Sequence, residues 1–198
     1  MAVDYAQLIA NLRRFYDFSG KIVLVAGAGG GQLLDPASKP KELIAIDRDR
    51  EALDKLRATI DASGTRNSIE VVCASFEDVR LSGDVVYLEF CLHETSDPEQ
   101  ALTHARTLAP DIIIYDHLPE SPWSFHAAEE DKVRRSAEAM ERFGVRRRQT
   151  FSTEQRFRNH AELLAKIRVQ GPVAIQRAER FVGATNIVIP MPYGLALL

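Results

Sequence analysis

Two patterns in the 198-residue sequence carry chemistry. The first is Gly27-Ala28-Gly29-Gly30-Gly31, which follows the apolar run Lys21–Ala26 and stands 20 residues before Asp47. Glycines at a strand-to-helix turn let backbone N–H groups approach a ligand closely. A carboxylate at the tip of the next strand can accept hydrogen bonds from both hydroxyls of an adenosine ribose. The pair points to a nucleoside-containing ligand, with a tight packing loop and a chance acid as the bland alternative. The second pattern is His93-Glu94 and Asp116-His117, each pair just past an apolar run. An imidazole that titrates near neutrality can act as general base for a hydroxyl acceptor. It can equally cap a helix or satisfy a local hydrogen bond.

The elements that must hold these residues follow from hydrophobic period. Tyr5, Leu8, Leu12 and Phe15 recur at helical spacing, so Asp4–Phe18 reads as an amphipathic helix. Lys21–Ala26, Leu43–Asp47, Ile69–Cys73, Asp84–Phe90 and Asp111–Tyr115 are short, β-branched apolar runs. Helical patterns separate several of them, which implies βαβ crossovers and a parallel sheet. Beyond residue 118 the pattern predicts a long charged helix around Glu129–Phe143 and a short one at Ala161–Ile167. Two β-like runs follow, Val173–Phe181 and Thr185–Ile189, and a three-residue link between them permits only an antiparallel hairpin. The fold class is therefore α/β: a Rossmann-like doubly wound sheet of five parallel strands plus a C-terminal antiparallel hairpin. No repeat or low-complexity linker divides residues 1–198, so one domain is expected, with acceptor-side helices over 119–170.

The ligand can be narrowed. The sixth position of a dinucleotide G-x-G-x-x-G/A motif is here Gln32, and no GK[ST] phosphate loop is present. Val23–Gly31, Ile46-Asp47, Cys73–Asp78, and Asp84-Val85-Val86 through Leu92-His93-Glu94 to Asp97-Pro98 and Leu108-Ala109-Pro110 are similar, in order and spacing, to the motifs of the class I S-adenosylmethionine-dependent methyltransferases. The resemblance covers roughly residues 1–190 and implies the seven-stranded methyltransferase type of fold. It also implies S-adenosylmethionine as cofactor and S-adenosylhomocysteine as product. The chain departs from the family in having Val25 where the first strand usually carries an acid, and Ser75 at the adenine-turn acid.

On that resemblance Gly27, Ala28 and Gly29 form the cofactor turn, Asp47 takes the ribose, and Ser75 and Phe76 lie in the adenine turn. Phe76 and Arg48 can sandwich the adenine, Phe90 lines the methionine pocket, and Tyr16 lids the cofactor facing the sulfonium. Core packing is the rival reading for Phe76, Phe90 and Tyr16, and a solvated charge for Arg48. His93 and His117 are the candidate catalytic residues in the acceptor cleft. Trp123 and Phe125 sit in a loop that can cover the acceptor. Glu94, Asp116, His117 and His126 are types that ligate divalent ions, but their spacing has no metal signature, and no metal is expected.

Net charge is −3, and the distribution is uneven. Residues 1–128 carry 12 basic and 20 acidic side chains, while residues 129–180 carry 13 and 8. The base-rich segment includes Arg134, Arg135, Arg142, Arg146, Arg147 and Arg148. With few aromatics between them, these read as a solvated helix face rather than a nucleic-acid surface. The expected acceptor is a small molecule, with an anionic one favoured. A non-catalytic adenosyl-binding protein, or an RNA or protein methyltransferase using the arginines, are the alternatives. Cys73 and Cys91 are expected as reduced core residues. With no 18-residue apolar run, no membrane span is expected, and a cytoplasmic location follows by default.

Overall fold

The computed structural model describes residues 5–30, 38–63 and 69–198; Gly31, Gln32 and Pro36 lie outside them. Five strands, β1 (Ile22–Ala26), β2 (Glu42–Asp47), β3 (Ile69–Cys73), β4 (Val85–Glu89) and β5 (Asp111–His117), pair in parallel. Two longer strands, β6 (Arg147–Asn159) and β7 (Thr185–Leu197), join antiparallel to complete a sheet of order β3-β2-β1-β4-β5-β7-β6. The order reverses between β1 and β4, and the crevice beyond the carboxyl ends of such strands is where open α/β sheets bind ligands.

Period-2 alternation sends each strand's side chains to two apolar layers. Val23, Val25 and Tyr87 meet Leu8, Leu12 and Phe15 of helix α1 (Tyr5–Phe15) and Leu53, Leu56 and Ile60 of α2 (Arg50–Ser63). Leu24, Ala26, Val86 and Leu88 meet Leu102 and Ala105 of α3 (Pro98–Leu108). Asp97 caps α3 by accepting from Gln100 N–H at 3.0 Å, with Pro98 in the first turn as helix starts favour. Because β3 is the sheet edge, Cys73 is exposed rather than in the core; Cys91 is half-buried, and both are free thiols.

The C-terminal antiparallel pair exists, but its first strand is not the expected one. Residues 172–178 form a helix, α7 (Pro172–Ala178), followed by a 3-10 turn at Glu179–Phe181. Pro172 supplies a helix start, and Ala174 and Ala178, one turn apart, are fully buried. The partner of β7 is β6, whose register runs from Arg147 opposite Leu197 to Asn159 opposite Thr185. The segment 119–170 is therefore α4 (Pro122–His126), α5 (Glu130–Phe143), the 13-residue strand β6 and α6 (His160–Ile167), rather than helices alone. Arg146–Arg148 accordingly sit at the start of an edge strand, not on a helix face.

Among the described residues, no helix is long and apolar enough to cross a membrane.

Candidate functional site

β1 ends at Ala26, and Gly27 turns the chain with a left-handed φ of +73°. A Cβ at Gly27 would lie 2.8 Å from Cys91 Cβ, so both backbone conformation and space require glycine. At Gly29 a Cβ would lie 2.8 Å from both Ala52 Cβ and Asp47 Oδ2. The closeness has a purpose: Asp47, at the tip of β2, accepts Gly29 N–H through Oδ2 at 2.8 Å and Asp49 N–H through Oδ1 at 2.9 Å. Each carboxylate oxygen keeps acceptor capacity beyond these bonds. Beside it opens a cavity of about 490 Å³ lined by Gly27, Asp47, Arg48, Ser75, Phe76 and Glu94. That is within the volume of ordinary small-ligand sites. Glu77 also lines it, its carboxyl held below the usual range by the Ser75 hydroxyl, which donates to it at 2.5 Å.

A second cavity, of about 250 Å³, is lined by Phe90, His93, His117, Trp123, Glu129 and Gln155. Glu94 lines this cavity too, so the two meet at its side chain. His93 is buried, with Nδ1 2.5 Å from Asp116 Oδ1 and Nε2 3.6 Å from Glu94 Oε1. Burial opposes the imidazolium, but the Asp116 carboxylate outweighs it and raises His93 to about 10. Asp116 is anchored in turn, accepting the backbone N–H groups of His117 at 2.8 Å and His93 at 3.3 Å. His117 behaves oppositely: burial lowers it to about 4, more than nearby Asp116 restores. Its Nδ1 is buried without a hydrogen-bond partner among the described residues. Burial raises Glu129 to about 7, helped by its hydrogen bond with Glu94. Glu94 itself is held low, first by the hydrogen bond from His93 and also by Lys132 at 2.8 Å. At neutral pH the pocket thus sets a cationic His93 beside a neutral His117.

Phe90 lines the second cavity. It is a non-glycine residue at φ +44°, its ring tilted against those of Tyr115 and His117 with centroids 4.6 Å away in each case. A bulky residue in that region is strained, and such strain persists where surrounding contacts over-determine it.

Residues 24–113, from β1 into β5, match the methyltransferase-domain family. That stretch of the chain carries a methyltransferase domain. Solved structures share the whole fold at low identity. The YcgJ protein of Bacillus subtilis has a TM-score of 0.71 at 13% identity, covering 97% of each chain. A S-adenosylmethionine-dependent methyltransferase of Aquifex aeolicus gives 0.59 at 18% identity, covering 98% of this chain and 89% of its own. The magnesium protoporphyrin IX methyltransferase of Synechocystis, solved with bound S-adenosylhomocysteine, gives 0.58 at 13%, covering 97% and 80%. No curated protein matches the chain in sequence.

Within this methyltransferase framework the structure brings Gly27, Asp47, Arg48, Ser75 and Phe76 to one cavity, and His93 and His117 to the adjoining one. Ala28 opens the 3-10 turn between Gly27 and Gly30. Phe90 lines the second cavity rather than the first. Tyr16 lies at the wrong end of the sheet for a lid. Its hydroxyl donates to Asp111 Oδ2 at 2.6 Å, and Asp111 is the first residue of β5. The reason is the direction of α1, whose first turns reach the carboxyl edge of the sheet while its last residues reach the amino edge. Leu8, two turns earlier, lines the second cavity instead. Trp123 is buried and stacked on Phe157, whereas Phe125 is exposed with the Arg177 guanidinium 4.0 Å over its ring.

The metal-type residues also regroup. His126 packs edge-on to Phe125 and Phe181, and Asp116 serves His93. Glu129, on no candidate set from sequence, joins the two histidines: it ends the loop after α4 and is buried with a carboxylate oxygen within 4.8 Å of a ring nitrogen of each. The base-rich tract is occupied elsewhere: Arg134 pairs with Asp131, Arg142 with Glu99, Arg146 with Asp111 and Arg148 with Glu141. Arg147 covers the Phe15 ring at 4.3 Å. The charge asymmetry therefore does not reach the second cavity, whose ionisable lining is His93, Glu94, His117, Glu129 and Lys166.

Proposed function

We propose that this protein transfers a methyl group from S-adenosylmethionine to a small-molecule acceptor bound in the second cavity. The observation that carries this reading is the pair of cavities at the strand ends, one beside the glycine turn and Asp47, the other around His93 and His117, sharing Glu94 as common wall. Bound S-adenosylmethionine supplies an electrophilic methyl on a sulfonium, and the chain's own task is to hold, align and deprotonate.

Asp47 receives the ribose hydroxyls with the acceptor capacity its two backbone bonds leave free. Phe76 and Arg48 flank the adenine, and Glu77 supplies the carboxylate missing at Ser75. The acid absent at Val25 is replaced by Glu89. Val25 pairs in register with Tyr87, and Glu89, two residues further along β4, returns to the same sheet face. Burial alone raises Glu89 to about 8, so a cationic amino group is the partner that would stabilise its charge. In the second cavity, neutral His117 accepts the acceptor's proton, and His93, held charged by Asp116, donates a hydrogen bond to the developing anion. The cavity's size suits a small molecule, and the paired arginines weigh against a nucleic-acid or protein acceptor.

The test is calorimetric titration with S-adenosylmethionine and S-adenosylhomocysteine, followed by turnover against small hydroxyl, thiol and amine acceptors. Micromolar binding that Asp47→Ala weakens at least about tenfold is the expected result. Absence of binding at millimolar ligand overturns the reading, and binding without any turnover restricts it to a non-catalytic adenosyl-binding role.

A further inference from the structure

The wall of the second cavity holds an arrangement that methyl transfer does not itself demand. His93, His117 and Glu129 are all buried, and one potential ligand atom from each lies within 4.8 Å of the other two. They come from three separate elements: the turn after β4, the end of β5 and the residue before α5. We infer that these three residues bind a divalent transition-metal cation of zinc's class, leaving one coordination position open to the cavity.

Donor chemistry supports the assignment. Two imidazoles and one carboxylate make up a common set for zinc sites that keep a fourth position for water or substrate. Ligands 2.0–2.1 Å from a tetrahedral ion stand about 3.3 Å apart, so the set has to close by no more than about 1.5 Å. His93 already has the partner that metal-bound imidazoles use: its Nδ1 is held by a buried carboxylate, Asp116, and Nε2, now beside Glu94, is the atom that would take the ion on losing its proton. His117 adds a second, independent sign, because its Nδ1 is buried and unpartnered among the described residues. A buried polar atom with no partner loses free energy that ligation recovers. The carboxylates of Asp116, Glu129 and Glu94 converge here, opposite His93, Lys132, which is committed to Glu94, and Lys166 on the cavity wall. Glu94, 3.6 Å from His93 Nε2, stands ready as a further oxygen donor.

The metal site stands on these contacts whether or not the chain transfers methyl groups. Its use rests on the methyl-transfer reading: the open position takes the acceptor's oxygen, nitrogen or sulfur and lowers its pKa in place of a free imidazole base.

The experiment uses tag-free full-length protein, loaded with Zn²⁺, dialysed and assayed for metal by mass spectrometry. About one zinc per chain is expected, with a rise in Tm. Cobalt(II) in its place should give the intense visible bands of a four- or five-coordinate site. His117→Ala and Glu129→Ala should weaken zinc binding by about 10- to 100-fold, while His160→Ala retains it. Zinc far below one per chain, with no Tm shift from zinc, cobalt, manganese or iron(II), overturns the site, as does full affinity in both variants. If the variants do not fold, the cobalt spectrum of the unmodified protein decides alone, and a hexaaquo-like spectrum counts against the site. Titration of the same sample with S-adenosylhomocysteine separates the two readings. Cofactor binding without metal removes only the metal site, and metal binding without cofactor removes only methyl transfer.

Discussion

His93 Nδ1 lies 2.5 Å from Asp116 Oδ1, and both side chains are almost completely buried. Asp116 belongs to β5 and His93 to the turn after β4, so the pair ties two neighbouring strand ends together beneath the second cavity. Removing one partner of a buried pair strands the other charge, at a cost of about 3–5 kcal/mol. Asp116→Ala also frees two backbone N–H groups. A fall in Tm of about 6–20 °C is expected by thermal unfolding. A shift near zero would show that the two side chains are not paired in solution.

Glu89 makes stability depend on pH in a direction that can be worked out. Its folded pKa, about 8, is above the ordinary value of 4.5, so the folded protein keeps a proton that the unfolded chain releases. Stability is highest below pH 4.5, falls as pH rises toward 8, and carries a constant penalty above that. Glu89→Gln removes the penalty without adding bulk. Its stability advantage over the parent protein should therefore grow through this window, reaching on the order of 5 kcal/mol at its top. An advantage that is flat across the window would mean that Glu89 is ionised throughout.

Gly27→Ala places a methyl group where φ is +73° and Cys91 Cβ is 2.8 Å away. Strain of about 1–3 kcal/mol is expected, together with loss of S-adenosylhomocysteine affinity, because the turn that shapes the first cavity must shift. Cys91→Ala in the same chain removes only the 3.1 Å approach to Sγ, since the Cβ at 2.8 Å and the left-handed φ both remain. Unfolding and calorimetry on the single and double variants read both effects.

Tyr16→Phe separates a structural from a cofactor role. Loss of the hydroxyl's bond to Asp111 should cost about 1 kcal/mol and leave S-adenosylhomocysteine affinity unchanged. A large loss of affinity would put Tyr16 back at the cofactor.

The parallel half of the fold and the glycine turn with Asp47 were readable because their signals are local. Apolar runs, Asp97-Pro98 and Gly27 each act within a few residues of where they stand. The antiparallel pair was not, because β6 is an edge strand. Phe151, Thr153, Gln155 and Phe157 alternate inward while Ser152, Glu154, Arg156 and Arg158 face water, and that polar dress masks a strand. Conversely, Val173 and Ile175 suggested a strand, whereas Ala174 and Ala178 one turn apart mark the buried side of a helix.

By itself, then, the sequence determined the α/β sheet, the glycine turn with Asp47 after the next strand, the likeness to methyltransferases and the presence of two histidines at strand ends. Those follow from periodicity and from residues adjacent in the chain. Only the tertiary structure decided which side chains share a cavity. The direction of α1 put Leu8 rather than Tyr16 at the site, the edge position of β3 exposed Cys73, and the return of the chain after α4 set Glu129 against His93 and His117. Such meetings join residues from separate elements whose distance in the chain carries no period, so packing alone fixes them.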